Sequence, residues 1–116
     1  MDAGQFDRRL RLQRATKADD GYTSEVTGYI DLATVWAKHI PLSGAERLEA
    51  GEVGAVRKVR YKIRRDSAWS DLNESDRFLE GSSARYPDGI PHNIVSVVSE
   101  GRGFYLIDAV YRGDNL

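Results

Sequence analysis

Arg57-Lys58-Val59-Arg60-Tyr61-Lys62-Ile63-Arg64-Arg65 alternates basic and apolar residues along most of its length. In an extended chain successive side chains point to opposite faces, so Val59, Tyr61 and Ile63 share one side and Lys58, Arg60, Lys62 and Arg64 the other. A helix would scatter both sets around its circumference, whereas a strand with one buried face keeps them apart. That reading sets the class of the domain, and the flanking segments repeat it.

Toward the N-terminus, Arg9–Arg14 places Leu10 and Leu12 on one face against Arg9, Arg11 and Gln13 on the other. Asp19-Asp20-Gly21 is a turn signal, because Asp and Gly tolerate positive backbone dihedrals. A second strand is expected from about Leu32 to Leu42, partly covered on both faces, with Trp36 as its strongest apolar anchor. Pro41 lacks a backbone donor and should end that strand or place it at an edge. Toward the C-terminus, Ser67–Ser75 reads as a loop and Asp76–Gly81 as a short strand. Ser82–His92, with Pro87-Asp88-Gly89 and Pro91, reads as a loop or hairpin tip. Asn93–Ser99 and Phe104–Tyr111, separated by Glu100-Gly101-Arg102-Gly103, are expected to form an antiparallel hairpin. Five or six strands in one small domain predict a mostly β fold, a small antiparallel β-barrel that limits exposed edges. The 116 residues suit one domain spanning 1–116.

One segment breaks the pattern. Ser43 to Val56 follows the second strand as a long excursion. Ser43-Gly44-Ala45-Glu46 fits a capping box, in which the serine caps an amide and the glutamate reaches back to the amide of the cap. Ala45, Glu46, Arg47, Leu48, Glu49 and Ala50 favour a short helix, which Gly51 and Gly54 interrupt. Its apolar face is narrow, with Leu48 little supported. Gly44, Gly51 and Gly54 read either as hinges or as ordinary loop residues.

Composition limits the chemistry. The chain has no cysteine, so disulfides and thiolate metal sites are excluded. Seventeen basic and 18 acidic residues give a formal net charge of -1, unlike the basic excess of an avid nucleic-acid binder. The apolar runs are too short to span a membrane, and Met1–Asp7 has neither the cationic start nor the apolar stretch of a signal peptide. The two histidines, His39 and His92, lack a local catalytic signature, and no metal-ligand spacing or phosphate-binding glycine loop is present. No catalytic residue, metal or cofactor is expected. The basic row Lys58, Arg60, Lys62 and Arg64 has three readings: a solvated face paired with acids, a surface near passing DNA, or a charged interface between subunits.

Several ordered blocks carry a family resemblance. Asp7-Arg8-Arg9-Leu10-Arg11-Leu12-Gln13-Arg14 resembles the opening of phage head–tail joining proteins. Asp31-Leu32-Ala33-Thr34-Val35-Trp36-Ala37 and Pro41-Leu42-Ser43-Gly44-Ala45-Glu46 are similar to that family's next two blocks in order and spacing. Val59–Arg64, Asp76-Arg77 and Ile94-Val95-Ser96-Val97 resemble later elements. The chain departs from the pattern between Gly81 and Asn93, where it is longer and carries two prolines.

The resemblance implies a head-completion or stopper protein, a small β-barrel with an excursion after the second strand. It implies a homo-oligomeric ring, hexameric or dodecameric, in the virion neck of a phage or gene-transfer particle. A portal or adaptor ring would lie above it and a tail terminator or tail tube below, with transient, non-specific contact to packaged DNA. On this reading the channel-gating segment comprises Ser43, Gly44, Glu46, Arg47, Leu48, Glu49, Gly51 and Gly54. The alternatives are a tail terminator or another neck ring protein and, in a different class, an OB-like nucleic-acid-binding barrel using the basic strand as its platform.

Overall fold

A computed structural model describes residues 6–19, 21, 24–49, 56–114 and 116. Six strands follow one another: β1 (Arg8–Asp19), β2 (Ser24–Ile40), β3 (Val56–Arg64), β4 (Asp76–Glu80), β5 (Ile90–Glu100) and β6 (Phe104–Arg112). One short helix, α1 (Gly44–Glu49), follows β2, and a single 3-10 turn covers Ser67–Trp69. Every pairing is antiparallel. The order β1-β2-β3-β6-β5-β4 closes on itself, because β1 pairs with both β2 and β4.

Alternation explains the interior. Tyr61 and Ile63 are buried, and Val59 packs partly buried against the same core. Leu10 and Leu12 meet them from β1, Val35 and Ala37 from β2, Phe78 from β4, Ile94 from β5, and Ile107 and Ala109 from β6. Leu72 is also buried, and Trp69 packs beside this cluster with its indole N–H donating to the Arg64 carbonyl at 2.9 Å. The segment between β3 and β4 therefore adds apolar side chains to the core as well as connecting strands.

The structure corrects four expectations. Trp36 is 55% exposed and is no core anchor. Its neighbours Val35 and Ala37 occupy the inward positions, and strand parity then turns the indole outward, where the Arg9 guanidinium lies 5.1 Å from the ring centroid. β2 begins at Ser24, well before Leu32, because it continues as a ribbon with β1. β1 likewise runs on to Asp19. Pro91 and His92 belong to β5, with Pro91 opposite Leu79 and His92 opposite Phe78. Pro91 is tolerated there because it is the second residue of the strand, where the ladder begins. The predicted end of β2 holds: the strand stops at Ile40, before Pro41.

Gly89 makes this entry to β5 possible. Its φ is +136°, and an added Cβ would lie 2.6 Å from the Leu79 Cβ. Only a residue without a side chain allows the chain to turn so close to β4.

Candidate interaction surfaces

Strand directions define two ends. β2 runs down into α1 at the end where β3 begins, β6 finishes and β4 meets β5. At the opposite end β1 and β2 continue beyond the rest of the sheet, and the β5–β6 turn projects the same way.

At the α1 end, the capping box forms as its sequence predicts. The Glu46 amide donates to Ser43 Oγ at 3.1 Å, and the Ser43 amide donates to Glu46 Oε1 at 3.3 Å. The remaining Glu46 oxygen accepts from Arg60 Nη1 at 2.8 Å. One glutamate thus starts the helix and ties it to the outer face of β3. Arg60 also grips Asp108 on β6 through Nε at 2.7 Å and Nη2 at 3.1 Å. Hydrogen bonding and charge from Arg60 and Lys58 hold the Asp108 carboxyl below the usual carboxylate range, despite burial acting the other way. The Ser43 amide and the Arg60 cation likewise lower the Glu46 carboxyl. An added Cβ at Gly44 would meet nothing within 4 Å. Arg47, Leu48 and Glu49 lie on α1, while the expected hinges Gly51 and Gly54 fall outside the described residues.

The basic row has counter-charges or aromatic neighbours at each position. Lys58 Nζ lies 3.5 Å from Asp108, and Lys62 Nζ lies 3.5 Å from Glu100 and 4.7 Å from the Phe104 ring centroid. The Arg64 guanidinium lies over Phe6 and Phe104, whose rings stack at 5.9 Å. Phe6 is buried, so its ring covers part of this strand. Three of the four cations thus stand beside carboxylates of their own chain, and Arg64 stands beside aromatic rings.

Both histidines pack on aromatic rings. His39 tilts against Tyr61 at 5.4 Å. His92 is buried between Phe78 at 4.8 Å and Tyr111 at 4.6 Å, and its Nδ1 lies 2.7 Å from the Ile90 carbonyl oxygen. Burial pushes the His92 pKa down and pushes the Tyr61 phenol up to about 12. A shallow cavity of about 240 Å³ opens here between Arg8, Glu80, Tyr61 and Tyr111. In its wall Arg8 pairs with Glu80 at 3.3 Å. Among the described residues no three His, Asp or Glu side chains gather as a metal site.

At the opposite end stands a feature the sequence reading missed. β1 pairs with β4 only from Arg11 to Arg14, and β2 pairs with β3 only from Ala37 to Ile40. Ala15–Asp19 and Ser24–Tyr29 therefore form a two-stranded ribbon beyond the barrel. Asp76-Arg77 fastens its root. The buried Asp76 accepts from Arg14 Nε at 2.9 Å and Nη2 at 3.0 Å, and from the Asn73 amide at 3.1 Å. Arg77 Nε donates to Gln13 Oε1 at 2.8 Å, and its guanidinium lies 3.4 Å from the Tyr29 ring centroid. The signal was present in Val26, Tyr29 and Ile30, whose β-branched and aromatic character continues the strand pattern upstream of Leu32.

A family model described as phage head completion protein matches residues 1–108. The solution structure of protein SF1141 from Shigella flexneri 2a aligns over 100% of both chains, with a TM-score of 0.64 and 23% identity. At that identity the likeness supports the fold alone. No curated protein sequence matches the chain.

Proposed function

The chain belongs to the phage head completion protein family, and we propose that it is a ring-forming stopper in the virion neck. The family is one of structural virion proteins that act at the head, and interaction with other head and tail proteins follows from that role. The finer reading is that copies of this barrel form a ring between portal or adaptor and tail, close the DNA channel and present the surface on which the tail docks.

The observation that carries it is the extent of the family match, 108 residues from the N-terminus, which takes in β1 to β5 and most of β6. The proposed closure builds on the tie between α1 and β3. In a ring, the α1 helices from successive copies would converge on the axis, each held by Glu46 to its own Arg60. Opening then requires exchange of a surface ion pair and small inter-subunit contacts, a low-energy change between two packings. Lys58, Arg60, Lys62 and Arg64 serve this closed state as internal partners more than as a DNA track. The intramolecular pairing of Arg60 with both Asp108 and Glu46 weighs against an OB-like platform for single strands.

Electron microscopy of particles carrying the protein tests the proposal. A ring of six-stranded barrels between portal and tail is the expected result. Density for this chain elsewhere in the particle, or its absence from the neck, would overturn it.

A further inference from the structure

We propose that the β1–β2 ribbon is an assembly arm whose free β2 edge seats against the upper stretch of β5 in a neighbouring copy. The inference deepens the ring reading by naming the two surfaces that meet.

Four observations converge. First, β2 from Ser24 to Trp36 has β1 as its only ladder partner, so one side of thirteen residues lacks a ladder among the described residues, although the Ser67–Trp69 turn packs near part of the strand. Two strands alone are marginal in water, and an unpaired edge invites another strand. Second, two of the usual deterrents to pairing are missing, although the stretch carries Glu25 and Asp31 and two register shifts against β1. The stretch contains no lysine and no proline, and Val26 and Ile30 are 53% and 52% exposed. Third, the same chain offers a counterpart. β5 pairs with β4 only from Ile90 to Asn93, leaving that side of the strand from Ile94 to Glu100 without a ladder partner, with Val95 and Val98 exposed.

Fourth, the charges are complementary. Residues 15–31 contain four acids and one lysine, whereas Arg65 and Arg102 stand exposed beside the β5–β6 turn. Glu25 on the arm and Arg102 at that turn are exposed, and neither makes an ion pair among the described residues. A contact between two different surfaces of one chain is head-to-tail, the type that closes into rings when the rotation permits. Main-chain bonds along the edge would supply affinity, and the flanking charges would set register.

The absence of cysteine gives a clean test. Val26→Cys and Val98→Cys, singly and together, are placed in the full chain and incorporated into particles, which are then oxidised. Both sites are exposed, so folding should persist, and thermal melting of the purified variants checks this. The double variant should give a ladder of cross-linked multimers, while each single variant stays uncross-linked. Glu25→Arg and Arg102→Glu should each reduce incorporation, and together restore it.

A dimer from either single variant would mark a twofold contact and overturn the proposal. So would failure of the charge-swapped pair to recover. Amine cross-linking of the same particles separates the two levels of inference. Multimers by amine chemistry without the cysteine ladder would retain the ring and remove this interface. No multimers by either route would remove both.

Discussion

Replacing the buried Asp76 with Asn should destabilise the protein more than removing any single exposed charge of the barrel. The Asp76 side chain is fully buried and receives two donors from Arg14 and one from the Asn73 amide. An asparagine keeps the shape but presents an amide donor to a guanidinium donor, and it removes the charge. Breaking a fully buried pair costs about 3–5 kcal/mol. Arg14 is 31% exposed and retains Asp71, so water and the second carboxylate recover part of the loss. About 2–3 kcal/mol remains. With 116 residues and roughly 2.1 cal/mol/K of unfolding entropy per residue, that corresponds to a Tm lower by about 8–12 °C.

Thermal unfolding followed by circular dichroism at neutral pH measures it, with Asp71→Asn as the control. Asp71 is 69% exposed and binds the same arginine, so its loss should leave the melting temperature nearly unchanged. Amide exchange supplies the local readout: protection in Ala15–Asp19 and Ser24–Ile30 should fall further than in β6, because Arg14 sits at the last β1–β4 pair. A drop below about 3 °C for Asp76→Asn, or equal effects at Asp71 and Asp76, would refute the reasoning that burial makes this fork strong.

Three further outcomes are expected. Gly89→Ala should destabilise by about 1–3 kcal/mol, read by urea denaturation, because it forces an L-residue to φ +136° against Leu79. Burial lowers the His92 pKa, so the unfolded chain binds that proton more readily than the native one. Stability from this group is complete above the unfolded value of about 6.5 and is lost as pH falls below it, and His92→Gln should flatten that part of the acid limb in denaturation series. Tyr61 runs in the opposite sense: its pKa of about 12 means the unfolded phenol ionises first, so stability should decline as pH rises above about 10, and Tyr61→Phe should remove that decline.

Strand identity was legible because period-2 alternation is a local property. Val59, Tyr61 and Ile63 show their inward face without reference to any other segment, as do Leu10 and Leu12. The capping box was equally local, since Ser43 and Glu46 meet across one helical turn. Lengths and ends were less legible. β2 begins at Ser24 because β1 continues beside it; Val26, Tyr29 and Ile30 carry strand-forming character there, but without the strict alternation that marks Val59–Arg64. Trp36 was misread because hydrophobicity ranks a residue without saying which face it occupies, and Val35 and Ala37 fixed that face.

The basic row shows the same division. The sequence by itself determined that Lys58, Arg60, Lys62 and Arg64 lie together on one side of a strand, that the domain is mostly β, and that the ordered blocks belong with phage head–tail joining proteins. Only the tertiary structure decided what those cations face. Asp108 is 48 residues from Arg60 and Glu46 is 14, and closing the sheet brings both carboxylates onto one guanidinium. The ribbon beyond the barrel depends on where β3 and β4 stop. Such long-range pairing is set by the register of several strands at once, and no window of sequence contains it.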